Sequence, residues 1–356
     1  MPVRLKKLRR RLAETNLDGL LIGNRENCLY MSGFTGSEGW LLVTRDRAFL
    51  CVDFRYVGQA REEAGGWEVV EYRRPFTGTL SQLVVDTGLK TLGFEEEHIS
   101  YQIYQRLVDK VQGVQWFPVS GLVETLRMRK DATEIESIKR ASRLDDLAFE
   151  HIIKYLEPGR REKEVALELE FFARRRGGEG ASFDIIVASG PRAALPHGVA
   201  SKKLIQAGEF VIMDFGTIVN GYHSDFTRTV IVGEATAKQT EVYEVVLEAQ
   251  RAAVAALAPG VTAGEIDALA RRVINDRGFG AFFGHGLGHG VGLNIHEGPN
   301  LFPGADTVLL PGMLVTIEPG IYIPGWGGVR IEDLLLITET GSEVLHRSTR
   351  ELIRIQ

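Results

Sequence analysis

Four acids stand in apolar settings that ought to exclude them. Asp214 closes the run Val-Ile-Met-Asp in FVIMDFGTIVNGYHSDFTRTVIV, residues 210–232, and Asp225 lies beyond the Asn220-Gly221 turn of the same segment. Glu318 and Glu332 hold corresponding places in MLVTIEPGIYIPGWGGVRIEDLLLIT, residues 313–338, on either side of a turn at Pro324–Gly328. Asn-Gly between apolar runs is a hairpin signal, so each segment reads as a hairpin with an acid on both arms, roughly level. A carboxylate inside an apolar strand is expensive to bury unless something neutralises it. A single such acid would ordinarily face solvent. Two pairs in corresponding places argue instead for one shared site, where two divalent cations would cancel four negative charges.

A further ligand is available in FGHGLGHGVGLNIHEGP, residues 283–299, which holds His285, His289 and His296. His285 and His289 have the spacing of two ligands on one helical face. Glycine at every second position from 284 to 292 argues against that helix, so spacing alone leaves the choice of imidazole open. An oxygen-rich set with one imidazole suits Mn²⁺, Co²⁺ or Fe²⁺ better than a structural zinc site. Two such ions about 3.5–4 Å apart lower the pKa of a water that can attack a carbonyl, which is the chemistry of amide hydrolysis. Nucleophilic routes find no support. The chain has no Gly-x-Ser-x-Gly, and neither Cys28 nor Cys51 lies near a histidine in sequence.

These groups need a scaffold. Within residues 126–356, Leu-Glu-Pro-Gly at 156–159 recurs as Leu-Ala-Pro-Gly at 257–260, and Glu164 and Gly177 recur as Glu265 and Gly278. Around each copy the order of elements is helix, helix, strands. The expectation is an α+β domain made of two such halves packed around one curved antiparallel sheet. Thr133 and Glu136 have capping-box spacing and are expected to open its first long helix. Residues 1–125 alternate strand-like runs (DGLLIG, GWLLVT, AFLCVD, WEVVEY, KTLGF) with helical ones (RYVGQAREEA, ISYQIYQRLVDKV), which predicts an α/β N-terminal domain. An amphipathic helix with Val3, Leu8 and Leu12 inward precedes it. No Gly-x-Gly-x-x-Gly or Walker pattern lies in this part, so it has no nucleotide site to offer.

The 356 residues are 44% hydrophobic and 25% charged, with a formal net charge of −5, as in a soluble globular protein with no affinity for nucleic acid. No run is long and apolar enough to span a membrane. Two cysteines make no disulfide framework and fit buried thiols in a reducing cytoplasm.

The segments ASGPRAALPHG, MDFGTIVNGYHSDFTRT, GHGLGHGVGLNIHEGP and VTIEPGIYIPGWGGVRIED resemble, in order, the signature segments of the pita-bread metallopeptidases. The resemblance is nearest to their proline-specific branch, Xaa-Pro dipeptidase (prolidase) and aminopeptidase P. The stretch YMSGFTGSEGWLLV, with VDFRY after it, is similar to the creatinase/prolidase N-terminal domain of that branch. The resemblance implies a pita-bread catalytic domain, cleavage before proline, two divalent ions (Mn²⁺ or Co²⁺, with Zn²⁺ or Fe²⁺ as alternatives), a peptide substrate, a homodimer and a cytoplasmic location. A non-catalytic pita-bread binding module is the remote alternative, and it predicts loss of metal-site acids that are all present here.

By the same resemblance the metal ligands fall on Asp214, Asp225, His289, Glu318 and Glu332. Asp225 and Glu332 bridge both ions, Asp214 holds one, and His289 and Glu318 hold the other. Glu318 also matches the family's proton shuttle. His296 matches a residue that stabilises the oxyanion, and His197 one on the leaving-group side. Arg330 is expected to steady a ligand carboxylate, and His285 to be either a pocket residue or a structural one. Some prolidases have an arginine at the position of Asn300, where it grips a dipeptide's carboxylate. The expected activity is that of an Xaa-Pro dipeptidase, and the missing arginine keeps an aminopeptidase P acting on longer peptides as the alternative. The bare glycine backbone is read as a close approach to the metals and a bound peptide.

Overall fold

In the computed structural model, which describes residues 2–356, the chain divides into two units, Met1–Arg127 and Met128–Gln356. The first opens with α1 (Pro2–Glu14), where Leu8 and Leu12 are fully buried but Val3 is 65% exposed. At about 100° per residue Val3 lies well off the stripe of the two leucines, so only they face inward.

The rest of this unit runs β1 (Gly19–Ile22), α2 (Arg25–Ser32), β2 (Trp40–Thr44), β3 (Ala48–Val52), α3 (Val57–Glu63), β4 (Glu68–Glu71), α4 (Thr77–Thr87), β5 (Thr91–Glu95), α5 (Tyr101–Lys110), β6 (Gln115–Val119) and α6 (Glu124–Arg127). Its strands form one mixed sheet in the order β4-β3-β2-β1-β5-β6. All four residues of β1 are buried, as a central strand covered on both faces requires. Cys28 and Cys51 are buried and unbridged.

The second unit begins with α7 (Ala132–Tyr155). Its capping box is Asp131 with Glu134, two residues before the expected Thr133 and Glu136. The Asp131 carboxylate accepts from Thr133 N and Glu134 N at 3.0 Å each. A strong cap already stood upstream, which leaves Thr133 inside the helix. Then come α8 (Glu162–Arg175), β7 (Gly180–Ala181), β8 (Ile186–Ser189), β9 (Phe210–Phe215), β10 (Thr217–Val219), β11 (Tyr222–His223), β12 (Phe226–Val232), α9 (Ala237–Ala256) and α10 (Ala263–Asp276). The last strands are β13 (Gly288–Gly290), β14 (Glu297–Leu301), β15 (Leu314–Ile317), β16 (Gly320–Ile323), β17 (Gly327–Arg330), β18 (Asp333–Ile337), β19 (Ser342–Val344) and β20 (Arg354–Ile355).

The echo in the sequence marks equivalent places. Gly159 and Gly260 follow α7 and α9 with φ of 91° and 90°, and Glu164 and Glu265 are the N3 residues of the capping boxes of α8 and α10. The strands do not form one continuous antiparallel sheet. They split into ladders β20-β12-β9-β8 and β14-β13-β15-β18-β19, with β20 parallel to β12, a small β11-β10-β7 sheet and a separate β16-β17 ribbon. Breaks fall where Asp225, Glu318 and Glu332 leave the regular strands, and Pro319 after Glu318 has no N–H to continue a ladder. The two halves meet there, with Glu332 N donating to Thr227 O at 3.1 Å and Thr229 Oγ1 to Arg330 O at 2.8 Å.

Candidate metal centre

Strand alternation decides which side chains reach the site. On β9, Val211, Met213 and Phe215 pack against Phe149 and Ile152 of α7 and Val165 and Leu169 of α8, so Asp214 points to the other face. In the second half, Val315, Ile317, Val329 and Ile331 pack with Val242 and Val246 of α9 and Ile266 of α10. Thr316, Glu318, Arg330 and Glu332 therefore face away from that core. The first hairpin closes through Asn220 and Gly221, both at positive φ (53° and 76°), the two-residue turn that matches strand twist. In the second, Ile323 pairs with Gly327, so the turn is Pro324–Trp326, shorter than the expected span to Gly328.

The acids converge around one imidazole. His289 Nε2 lies 3.4 Å from Asp225 Oδ2 and 3.4 Å from Glu318 Oε1. His289 Nδ1 is 3.1 Å from Gly290 O, so Nδ1–H donates there and Nε2 is left to face the acids. Ligand atoms of Asp225, His289 and Glu332 all lie within 4.8 Å of one another. Burial raises the carboxyls of Asp225 to about 6 and Glu318 to about 7, and pushes Glu332 well above its ordinary range. Burial opposes charge on His289, but Asp225 and Glu318 outweigh it and hold the imidazole at about 9.

A chain of hydrogen bonds steadies Asp214. The Arg330 guanidinium donates to the Asp214 carboxylate, to Tyr322 Oη at 2.7 Å and to Pro196 O at 3.3 Å. His285 Nδ1 is 2.7 Å from Gly286 O, and its Nε2 is 3.0 Å from Tyr322 Oη. Burial lowers His285 to about 4, so its ring is neutral. Nδ1–H then donates to Gly286 O, and Nε2 accepts from the tyrosine hydroxyl. Deeper still, Arg228 Nη2 meets Asp333 Oδ1 at 2.8 Å with both side chains buried, tying the strands next to Thr227 and Glu332 together.

A cavity of about 390 Å³ opens on this cluster. All five expected ligands line it, together with His197, His285, His296 and Arg330. His197 and His296 are exposed to it, and the His296 ring sits edge-on to His289 with centroids 4.4 Å apart. Asn300 is exposed on β14, paired in register with His289, and does not line the cavity.

Three residues that sequence reasoning missed belong to this machinery. Tyr322 links His285 to Arg330. Thr316 Oγ1 accepts from His289 N at 3.0 Å and donates to Glu318 Oε1 at 3.1 Å. Thr227 Oγ1 donates to Glu332 Oε2 at 2.6 Å. Glycines make room for Tyr322, since a Cβ on Gly320 would lie 2.5 Å from its hydroxyl oxygen and one on Gly328 3.0 Å from its ring.

The glycine-rich stretch is bare partly because the strands beside it pack closely. A Cβ on Gly288 would lie 2.1 Å from Thr316 O, one on Gly290 2.2 Å from Gly298 O, and one on Gly286 2.7 Å from Leu301 O. Neighbouring backbone thus excludes side chains at these three positions, and Gly286 and Gly288 also line the cavity described above.

The donor set fits divalent cations. Four carboxylates face one guanidinium and one imidazole, and Asp214 Oδ1 and Glu332 Oε1 are buried with no hydrogen-bond partner from the protein. Such orphaned acceptors are costly unless a cation takes them.

Residues 136–339 match the profile of "Metallopeptidase family M24", and residues 4–129 that of "Creatinase/Prolidase N-terminal domain". The chain belongs to metallopeptidase family M24. A solved structure titled Xaa-Pro dipeptidase, from Bacillus anthracis, is 47% identical with a TM-score of 0.97, covering 99% of both chains. The Xaa-Pro dipeptidase of Pyrococcus furiosus is 42% identical over 99% of this chain and 100% of its own. The X-Pro aminopeptidase structure from Thermotoga maritima is 38% identical with a TM-score of 0.90, covering 97% of this chain and 100% of its own. This M24 chain is therefore a metallopeptidase with the pita-bread fold and a creatinase/prolidase N-terminal domain.

Proposed function

We propose that the protein hydrolyses the peptide bond before proline, as an Xaa-Pro dipeptidase. The observation that carries this reading is the convergence of Asp214, Asp225, His289, Glu318 and Glu332 on one cavity that His197 and His296 also line. Relatives of full length named Xaa-Pro dipeptidase support the choice of bond. In this reading Asp225 and Glu332 would serve both ions, Asp214 would help to hold one, and His289 with Glu318 the other. When bound, the cations supply a water of lowered pKa and positive charge beside the scissile carbonyl.

The chain's own groups do the rest. Glu318 is placed among these groups to take a proton and pass it to the leaving amine. His296 donates to the oxyanion and His197 holds the leaving-group side. The Arg330–Tyr322–His285 chain keeps Asp214 aimed. Phe183, Ile186, Pro196 and Val199 give the cavity an apolar wall that suits a pyrrolidine ring.

Mn²⁺ or Co²⁺ is assigned to the site because its donors are mainly oxygen, with Zn²⁺ and Fe²⁺ as alternatives. A homodimer and a cytoplasmic location complete the reading, the latter supported by two buried free thiols. Among the described residues no helix is long and apolar enough to cross a membrane. The second reading is an Xaa-Pro aminopeptidase. It is favoured by asparagine at position 300 and by the engagement of Arg330, the one lysine or arginine lining the cavity among the described residues.

Metal-free protein reconstituted separately with Mn²⁺, Co²⁺ and Zn²⁺ and assayed on Ala-Pro against Ala-Ala tests the reading. Turnover of Ala-Pro with Mn²⁺ or Co²⁺ is expected, and equal turnover of Ala-Ala would contradict it.

A further inference from the structure

Lys130 and Glu297 form an ion pair with 2.8 Å between Nζ and Oε1, and their side chains are only 1% and 9% exposed. Neither lines the catalytic cavity, yet Glu297 follows His296 directly in the chain. A buried ion pair is often no more stable than apolar side chains of the same volume. Stability alone therefore gives little reason for a lysine and a glutamate here, and their placement gives a better one.

His296 needs support from its neighbours. Its ring is exposed to the cavity and meets the ring of His289 edge-on, and among the described residues no protein group hydrogen-bonds to it. The ladder beside it is irregular. His289 pairs with Asn300 but Gly290 pairs with Glu297, so Gly298 and Pro299 are left unmatched in that ladder. What holds the chain lies on each side of the histidine. Ile295 packs against the cluster of Ile138, Val291 and Leu334. Glu297 is held by Lys130 and lies over Gly292, where a Cβ would come within 2.3 Å of Oε1. Lys130 is itself a fixed point. Its N–H donates to Gly312 O at 2.8 Å, its ammonium also reaches Met128 O at 3.4 Å, and Asp131 after it caps α7.

We propose that Lys130, acting through Glu297, positions His296 to meet the oxyanion. The proposal rests on the reading of His296 as the oxyanion's donor. Lys130 is a positioning residue, since it touches no substrate and its effect passes through one imidazole. Without the lysine, Glu297 loses its anchor and the turn at 292–296 drifts. A donor misplaced by about 1 Å loses much of what it gives the transition state, while substrate affinity changes little.

The test is a double-mutant cycle on the full-length Mn²⁺-loaded protein, run on Ala-Pro, or on Ala-Ala if the wild type prefers it. Lys130→Met/Glu297→Gln removes the pair without stranding a buried charge, so the fold should survive, and circular dichroism checks it. Its kcat should fall about tenfold, with KM within about twofold of wild type. Mn²⁺ affinity should be unchanged, since no metal ligand is touched. In the His296→Ala background the same two substitutions should change kcat by less than about twofold, because the group they aim is gone. Lys130→Arg keeps the charge and should keep most of the turnover. Unchanged kcat in Lys130→Met/Glu297→Gln would overturn the proposal. So would an equal loss with and without His296, or weakened Mn²⁺ binding, since either would make the pair a general support of the fold. Should Lys130→Met/Glu297→Gln fail to fold, Gly292→Ala, which pushes the Glu297 carboxylate aside, takes its place in the cycle. Turnover unchanged by His296→Ala alone would overturn the oxyanion reading, and the proposal with it.

Discussion

Thr227 donates its hydroxyl to Glu332 Oε2 at 2.6 Å and accepts from Arg330 Nε at 3.2 Å. The threonine thus fixes the orientation of a carboxylate whose other oxygen has no protein partner. It also places Glu332 and the arginine that steadies Asp214 on one hydroxyl, so acids from both hairpins answer to the same small group.

Thr227→Val preserves shape and removes that hydroxyl. Outer groups that orient metal ligands typically contribute about 10–100-fold in metal affinity. The variant should fold and bind Mn²⁺ that much more weakly, as read by calorimetric titration of metal-free protein. Affinity equal to wild type would show that Glu332 needs no such support.

Gly288→Ala should destabilise the protein by about 1–3 kcal/mol or more, because the new Cβ meets Thr316 O and strand backbone cannot move aside. Gly284→Ala is the control, since nothing lies within 4 Å of a Cβ there. Urea denaturation of both variants separates them. Equal midpoints would remove the close-packing account of the glycine-rich stretch.

Metal-free protein should lose stability as pH rises from about 6.5 to about 9. Glu318 and His289 have folded-state pKa values of about 7 and about 9, above their unfolded values of about 4.3 and 6.5, and burial raises Glu332 as well. The folded state then holds more protons than the unfolded one, and stability falls with rising pH. His285 and His296 are lowered and act in the opposite sense, but only below about pH 6.5. Divalent metal needs the deprotonated ligands, so its stabilisation should grow over the same range. Thermal melts with EDTA and with Mn²⁺ at pH 6.5 and 9 check both signs. A metal-free melting temperature that rises with pH would contradict the site electrostatics.

Much of the site was legible because acids in apolar strands are conspicuous. Asp214 and Glu332 break runs of valine, isoleucine and leucine, and Asn220-Gly221 announces the turn between one pair. The 101-residue echo was legible for a similar reason, since helix ends demand glycine at positive φ at Gly159 and Gly260. The hydroxyls of Thr227, Thr316 and Tyr322 were not legible. Threonine and tyrosine are ordinary strand residues, and their roles arise only from which strand lies opposite. The crowding at Gly288 was hidden for the same reason, because the backbone that meets it comes from β15, far along the chain. In the first unit, α4 buries Leu80, Leu83 and Val84 at helical spacing, but threonines and valines around them weaken the helical signal. The split of the sheet follows from the same acids that made the site visible, since the strands are interrupted where those acids turn toward the cavity.

The central claim is that Asp225 serves two ions at once. Metal content measured by plasma mass spectrometry on purified wild type and Asp225→Asn, beside turnover of Ala-Pro, tests it most directly. The account predicts two ions per wild-type chain and a variant that has lost metal and nearly all activity. Two bound ions and normal turnover in Asp225→Asn would contradict it.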